Sequence, residues 1–262
     1  MKILHSNLIG DSERHLFIIH GFLGMGDNWK SHAKKISEYD YTVHLIDLRN
    51  HGRSFWDNKF SFEIMVNDIQ NYALFHKIKK FSLLGHSMGG NVSMLFAQEL
   101  PDLLEKIIIV DIIPKKYKPY HNNVMDSLKS IDFKIKKSRK EVDDHMSNYI
   151  EDERIRQFLL KNLYWIDKDS LGLKINIDVL YEFKDKLSLE LQDNLNYQKP
   201  TMFLYGDSSP YVENSDLPLI KSHFSNVEII KVPKAGHWIH ACLLYTSPSP
   251  RDGCRSRMPS SA

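Results

Sequence analysis

The sequence predicts an α/β protein: a mostly parallel sheet with helices on both faces and a helical cap inserted late in the order. Three observations predict it. Short apolar, β-branched runs at 15–19, 81–84 and 106–111 alternate with stretches of helical periodicity, the rhythm of βαβ units. The middle run leads directly into Gly85-His86-Ser87-Met88-Gly89-Gly90 and then into 91–97, which reads as helix. After Pro114 no strong strand recurs until Thr201, and the intervening residues are amphipathic and helical in pattern.

In chain order, residues 2–8 suit a short edge strand, and 15–19 is the first strong one, ending in His20-Gly21-Phe22-Leu23-Gly24. A helix over 27–38 places Trp29, Ala33 and Ile36 on one face. A second strand, 41–48, runs into Asp47-Leu48-Arg49-Asn50-His51-Gly52-Arg53-Ser54. Helix returns over 62–76, where Phe62, Met65, Ile69 and Tyr72 or Ala73 share a face. The helix after Ser87 is closed by Pro101, and 106–111 is another apolar strand. Residues 115–199 then read as the cap, with 154–163 as one of its helices (Ile155, Phe158, Leu159, Leu163). Strands at 201–206 and 227–232 complete the sheet, followed by a loop at 235–238. The expected organisation is one domain, 1–241, with core 1–114 and 200–241 and cap 115–199.

Composition narrows the function classes. Lys and Arg number 35 and Asp and Glu 33, but three Arg and one Asp lie in 242–262, so the first 241 residues carry 32 of each. A neutral body gives no electrostatic reason to expect nucleic acid as partner. Both cysteines, Cys242 and Cys254, fall in the same final segment, so the body has no disulfide and no thiolate metal site. Residues 242–262 shift to Ser, Pro and Arg, cannot bury enough apolar surface to offset ordering entropy, and read as a disordered, frame-shifted or library-derived ending. The first seven residues turn polar too early for a signal peptide, and no apolar run approaches the ~18 residues of a membrane span. A cytoplasmic protein, monomer or homodimer, is expected.

Strand, sharp turn and helix around Gly-x-Ser-x-Gly make a nucleophile elbow. Glycines two residues to either side let strand and helix approach, the Ser87 hydroxyl stands clear of the sheet, and the Met88 amide faces the same space. A serine nucleophile needs a base, a group to orient the base, and amide donors for the oxyanion. Chain order behind such an elbow is serine, acid, histidine. Among thirteen histidines, His237 fits the base, because it follows the last strand and Gly236 frees the loop; His240 is its near neighbour. Two aspartates sit at strand ends as candidate acids. Asp111 ends the strand after the elbow helix and is preferred; Asp207 follows Gly206, but the acid at that strand usually lies three residues beyond the glycine, where Ser209 stands. Either could instead be a turn or cap aspartate. The second oxyanion amide is expected on Phe22, after Gly21, while His20 and His86 brace the turns.

The chain resembles the α/β-hydrolase superfamily, and within it the YbfF-type esterases related to the abhydrolase-domain-11 proteins. The resemblance is carried by His20-Gly21-Phe22-Leu23-Gly24, the segment from Asp47 to Ser54, Gly85 to Gly90, Val110-Asp111-Ile112-Ile113-Pro114, Ser209-Pro210-Tyr211-Val212, and Gly236-His237-Trp238-Ile239-His240-Ala241. It implies an α/β-hydrolase fold and a carboxylic-ester or thioester hydrolase that uses no cofactor and no metal, acting on a small-molecule acyl substrate, acyl-CoA among the candidates. It also implies Asp111 as the acid. Two departures stand out: Asp207 replaces a small residue of the bacterial relatives, and the final segment replaces a helix that packs on the sheet, which implies reduced stability. Cap lysines (Lys115, Lys116, Lys118, Lys129, Lys134, Lys136, Lys137, Lys140, with Arg139) read as a solvated face balanced by Glu141, Asp143 and Asp144, with a phosphate clamp as the other reading. Cap aromatics Phe133, Tyr149, Phe158, Tyr164 and Trp165 suit either an acyl pocket or core packing. Rival functions are carbon–carbon bond hydrolysis or a lyase reaction on the same residues, and a non-catalytic binding protein of this fold.

Overall fold

The computed structural model describes residues 2–117, 122–192, 196–237 and 239. Trp238, His240, Lys118 and the ending 242–262, singled out in the sequence, lie outside them. The apolar runs build a seven-stranded sheet: β1 (Ser6–Ile9), β2 (His15–Ile19), β3 (Thr42–Ile46), β4 (Phe81–His86), β5 (Leu104–Val110), β8 (Thr201–Gly206) and β9 (Val227–Val232), in the order β1-β3-β2-β4-β5-β8-β9. Only β1 is antiparallel, pairing Ser6 with Ile46 and Ile9 with Val43. All other neighbours are parallel, so the central strands are apolar on both faces and need cover on both.

Period-two alternation divides β2 between two cores. Phe17 and Ile19 face one core, with Met65 and Ile69 of helix α2 (Phe62–Phe75) and Val92 and Phe96 of helix α3 (Met88–Glu99). Leu16 and Ile18 face the other, with Trp29, Ala33 of helix α1 (Lys30–Ser37) and Ile239. Ser61 starts α2 in its N-cap role, its hydroxyl accepting the Ile64 amide at 3.3 Å. The helix expected over 27–38 opens as a 3-10 turn, Gly26–Trp29, before α1 begins.

Between β5 and β8 the chain leaves the sheet and forms α4 (Asn122–Lys129), α5 (Arg139–Ser147), α6 (Glu153–Leu159) and α7 (Ile177–Phe183). It also contains strands, contrary to expectation. Residues 154–163 do not form one helix: α6 ends at Leu159, a 3-10 turn covers Leu160–Asn162, and Leu163–Trp165 (β6) pairs with Leu171–Leu173 (β7) as an antiparallel hairpin. Helix α8 (Leu217–His223), unread in the sequence, joins β8 to β9.

The parallel order reverses beside β2, since β3 lies on one side of it and β4 on the other. A crevice opens at the carboxyl ends of strands at such a switch point. The loop after β2 and the turn after β4 both end there.

Candidate active site

Ser87 sits between β4 and α3 with φ +51° and ψ −118°, a strained backbone for a residue with a side chain. The turn is tight because nothing but hydrogen fits in it: a Cβ on Gly85 would lie 2.1 Å from the Gly89 carbonyl oxygen. Gly21, at the end of β2, is equally constrained, for a Cβ there would stand 2.9 Å from His86 Nδ1 and 3.3 Å from the Ser87 Cβ. The loop carrying Phe22 therefore lies directly against Ser87. Met88 is the first residue of α3, where helix geometry leaves the N–H without an intrahelical acceptor and concentrates positive potential.

Three residues far apart in sequence meet here. His237 Nε2 is 3.1 Å from the Ser87 hydroxyl, and His237 Nδ1 is 2.7 Å from Asp111 Oδ2. Asp111 closes β5 at φ +55° and is buried at 1 % exposure. Its carboxylate accepts two further bonds, from the Gly206 amide at 3.0 Å on Oδ1 and from the Ser209 hydroxyl at 2.5 Å on Oδ2. Three donors on a buried carboxylate fix its direction.

The imidazole of His237 is held on both sides. Tyr211 stacks on it at 4.0 Å between centroids, and His86 lies 4.9 Å away on another side, donating from Nε2 to the His237 carbonyl at 2.9 Å. Tyr211 is itself positioned by the Tyr117 hydroxyl, which donates to the Tyr211 carbonyl at 2.9 Å. Burial raises the Tyr117 pKa, so that hydroxyl stays protonated.

Asp207, the second candidate acid, is not part of this group. It is exposed, its carboxylate accepts from the Ser208 hydroxyl at 3.1 Å, and a hydrogen bond from the Lys234 amide is the chief cause of its lowered pKa. Ser209 and Tyr211 stand out in the sequence only as motif residues. A hydroxyl three residues past Gly206, where an acid was looked for, was the available signal for Ser209; nothing local marks Tyr211 as a stacking partner.

Two buried histidines shape the loop after β2. His20 accepts the Leu48 amide on Nε2 at 3.0 Å, so its Nδ1 carries the proton donated to the Gly21 carbonyl at 2.8 Å. His51 donates from Nδ1 to the Arg49 carbonyl at 2.9 Å and accepts the Leu23 amide on Nε2 at 3.3 Å. Burial lowers both pKa values, that of His51 to about 3, and keeps the rings neutral. The loop bearing His51 is anchored by Arg49, whose guanidinium grips Asp68 at 2.5 and 2.7 Å.

Some of the basic residues singled out in the insertion are engaged with acids. Lys115 pairs with Asp216 at 2.5 Å, Lys116 with Glu190 at 2.8 Å, and Lys129 with Asp178. Of its aromatics, Phe133 and Phe158 pack against the core, while Tyr149, Tyr164 and Trp165 stay exposed. Among the described residues no cluster of three or more His, Cys, Asp or Glu could hold a metal ion, and no helix is long and apolar enough to cross a membrane.

A serine within reach of an imidazole, which is oriented by a buried carboxylate beside helix and loop amides, can attack an acyl carbonyl. Comparison with known proteins agrees in kind. The sequence profile for the alpha/beta hydrolase fold matches residues 14–241. The chain is 33% identical over 233 residues to the sn-1-specific diacylglycerol lipase ABHD11 of Mus musculus, covering 86% of this chain and 76% of the lipase. A putative esterase/lipase of Haemophilus influenzae is 30% identical over 227 residues, covering 86% and 77% respectively. Among solved structures, a marine microorganism esterase superposes with a TM-score of 0.88 at 36% identity over 92% of this chain and 95% of the esterase.

Proposed function

The chain belongs to the alpha/beta hydrolase fold family, and from that premise we propose that it hydrolyses carboxylic esters or thioesters through an acyl-enzyme on Ser87. His237 Nε2 takes the Ser87 proton as Oγ bonds to the acyl carbon, and the carbonyl electrons move to the oxygen. The amides of Phe22 and Met88 receive that oxyanion, each donor being worth roughly 10²–10³ in rate. Collapse of the tetrahedral species breaks the bond to the alkoxide or thiolate, which takes the proton from His237. A water molecule then gives its proton to His237, attacks the acyl-serine and releases the acid and free Ser87. Asp111 accepts the Nδ1–H throughout, fixing the tautomer that leaves Nε2 free to receive a proton. No step in this reading calls for a metal or organic cofactor. The fold core 1–114 and 200–241 supplies these groups, and the insertion 115–199 acts as the cap that bounds the acyl pocket.

The observation that carries this reading is the unbroken path Asp111–His237–Ser87 at 2.7 and 3.1 Å, assembled from three separate strand ends. The names of the relatives, esterases and lipases, favour ester over carbon–carbon cleavage. A panel of p-nitrophenyl esters from acetate to decanoate, beside acyl-CoA thioesters, tests it. Turnover of esters with a burst of one equivalent of p-nitrophenol per active site is expected. Absence of turnover on every ester and thioester would refute the proposal.

A further inference from the structure

The loop that carries the Phe22 amide contains an uncommon backbone. Leu23 sits at φ +60°, in the left-handed region, where a residue with a side chain is disfavoured. Such a conformation persists only where its surroundings impose it. Both polar groups of Leu23 are taken by buried side chains. Its N–H donates to His51 Nε2 at 3.3 Å, and its carbonyl accepts from Asn162 Nδ2 at 2.9 Å. Neither partner belongs to the loop itself: His51 comes from the turn after β3, and Asn162 from the 3-10 turn of the insertion, 139 residues away in sequence.

Each holder is itself fixed. His51 has no exposed surface, and its Nδ1–H is committed to the Arg49 carbonyl at 2.9 Å, so only Nε2 can accept. Asn162 likewise has no exposed surface, and its main-chain carbonyl accepts the Lys174 amide at 2.8 Å, tying its backbone to the end of the β6–β7 hairpin. The insertion is also joined to the turn after β3, where the Asn176 side-chain amide donates from Nδ2 to Asn50 Oδ1 at 3.2 Å.

We propose that Asn162 and His51 are positioning residues for the oxyanion hole: gripping Leu23 from opposite polar groups, they fix the left-handed peptide that aims the neighbouring Phe22 amide at the Ser87 side. The inference rests on the esterase reading and on Phe22 as an oxyanion donor. It adds that the insertion supplies part of the catalytic geometry and not only a wall of the pocket. A donor displaced by an ångström loses most of its value to the transition state while ground-state binding changes little.

The test is steady-state kinetics on p-nitrophenyl butyrate, normalised to active sites counted by the acylation burst, together with inhibition by a butyl trifluoromethyl ketone, whose serine adduct is a tetrahedral oxyanion. Asn162→Ala and His51→Ala are expected to lower kcat about tenfold or more with KM changed less than about threefold, the ketone weakening in step with kcat/KM. His51→Gln, which keeps an acceptor, should recover part of the loss. Asn162→Asp, close in shape but lacking the donor, serves where Asn162→Ala does not fold. Asn176→Ala removes a bond between insertion and core that does not touch Leu23, and its kcat should stay within about twofold of the parent. Equal kcat per active site in parent, Asn162→Ala and His51→Ala would overturn the inference, as would a loss in Asn176→Ala matching that in Asn162→Ala. A parent without any ester turnover refutes the functional proposal instead.

Discussion

At the scale of single residues, the proposed roles differ in what each substitution should cost. Asp111 orients the imidazole through a 2.7 Å bond, and Asp111→Asn should lower kcat by about 10⁴ by favouring the wrong tautomer. Asp207→Asn should leave kcat within about twofold, because that carboxylate is engaged with Ser208 and the Lys234 amide, away from the ring. Assay of both variants on one ester settles which aspartate is the acid; equal losses would contradict the assignment to Asp111. Ser209→Ala should cost about tenfold, since its hydroxyl is one of three donors that hold the Asp111 carboxylate. The sequence made Ser87, His237 and Asp111 legible because each follows a strand whose apolar run is easily seen. Ser209, Tyr211 and Asn162 were not legible as contributors. Their roles exist only through contacts with residues 98, 26 and 139 positions away, and no local pattern encodes such distances.

At the scale of elements, the strands buried on both faces were readable from their unbroken apolar runs, and α2 from its period. Ser61→Ala should cost about 1 kcal/mol, measured as a lower urea midpoint with unchanged slope. The β6–β7 hairpin escaped notice because its strands are three residues each and one contains Gly172, too short and too weak for a period-two signal. Leu163 also continues the apolar spacing of α6, so the helical pattern ran past its true end at Leu159. The elbow is the element least tolerant of change. Gly85→Ala would force a Cβ to within 2.1 Å of the Gly89 carbonyl, which only a backbone shift relieves. Loss of soluble protein, or a fall in stability of about 2 kcal/mol or more, is expected in chemical denaturation. A Gly85→Ala protein as stable and as active as the parent would mean the turn is looser than described.

At the scale of the molecule, buried neutral histidines link stability to pH. His44 lies in a polar chain beneath β1 and α2: His15 Nδ1 is 3.0 Å from its Nε2, Tyr72 OH 2.8 Å from its Nδ1, and Ser6 Oγ 2.6 Å from the Tyr72 hydroxyl. Burial lowers the His44 pKa to about 3, as it does that of His51. The unfolded chain, with histidines near their ordinary value of about 6.5, therefore binds protons that the folded protein refuses. Their contribution to stability is complete above about pH 6.5 and is lost as pH falls toward 3. Each should impose a slope of about 1.4 kcal/mol per pH unit within that window. Urea unfolding at pH 7.5, 6 and 5 should show stability falling by about 2–3 kcal/mol per unit below pH 6, with about half of that slope removed in His44→Gln. A flat profile between pH 7.5 and 5 would contradict the burial of these rings as neutral groups.

The central claim is that Ser87 is made nucleophilic by His237, and covalent trapping tests it most directly. Incubation with a fluorophosphonate followed by mass analysis of the digested protein should place one adduct on the peptide containing Ser87. Labelling should vanish in Ser87→Ala and slow by at least about 10³ in His237→Ala. An adduct on another serine, or ester turnover that survives in Ser87→Ala, would contradict the account.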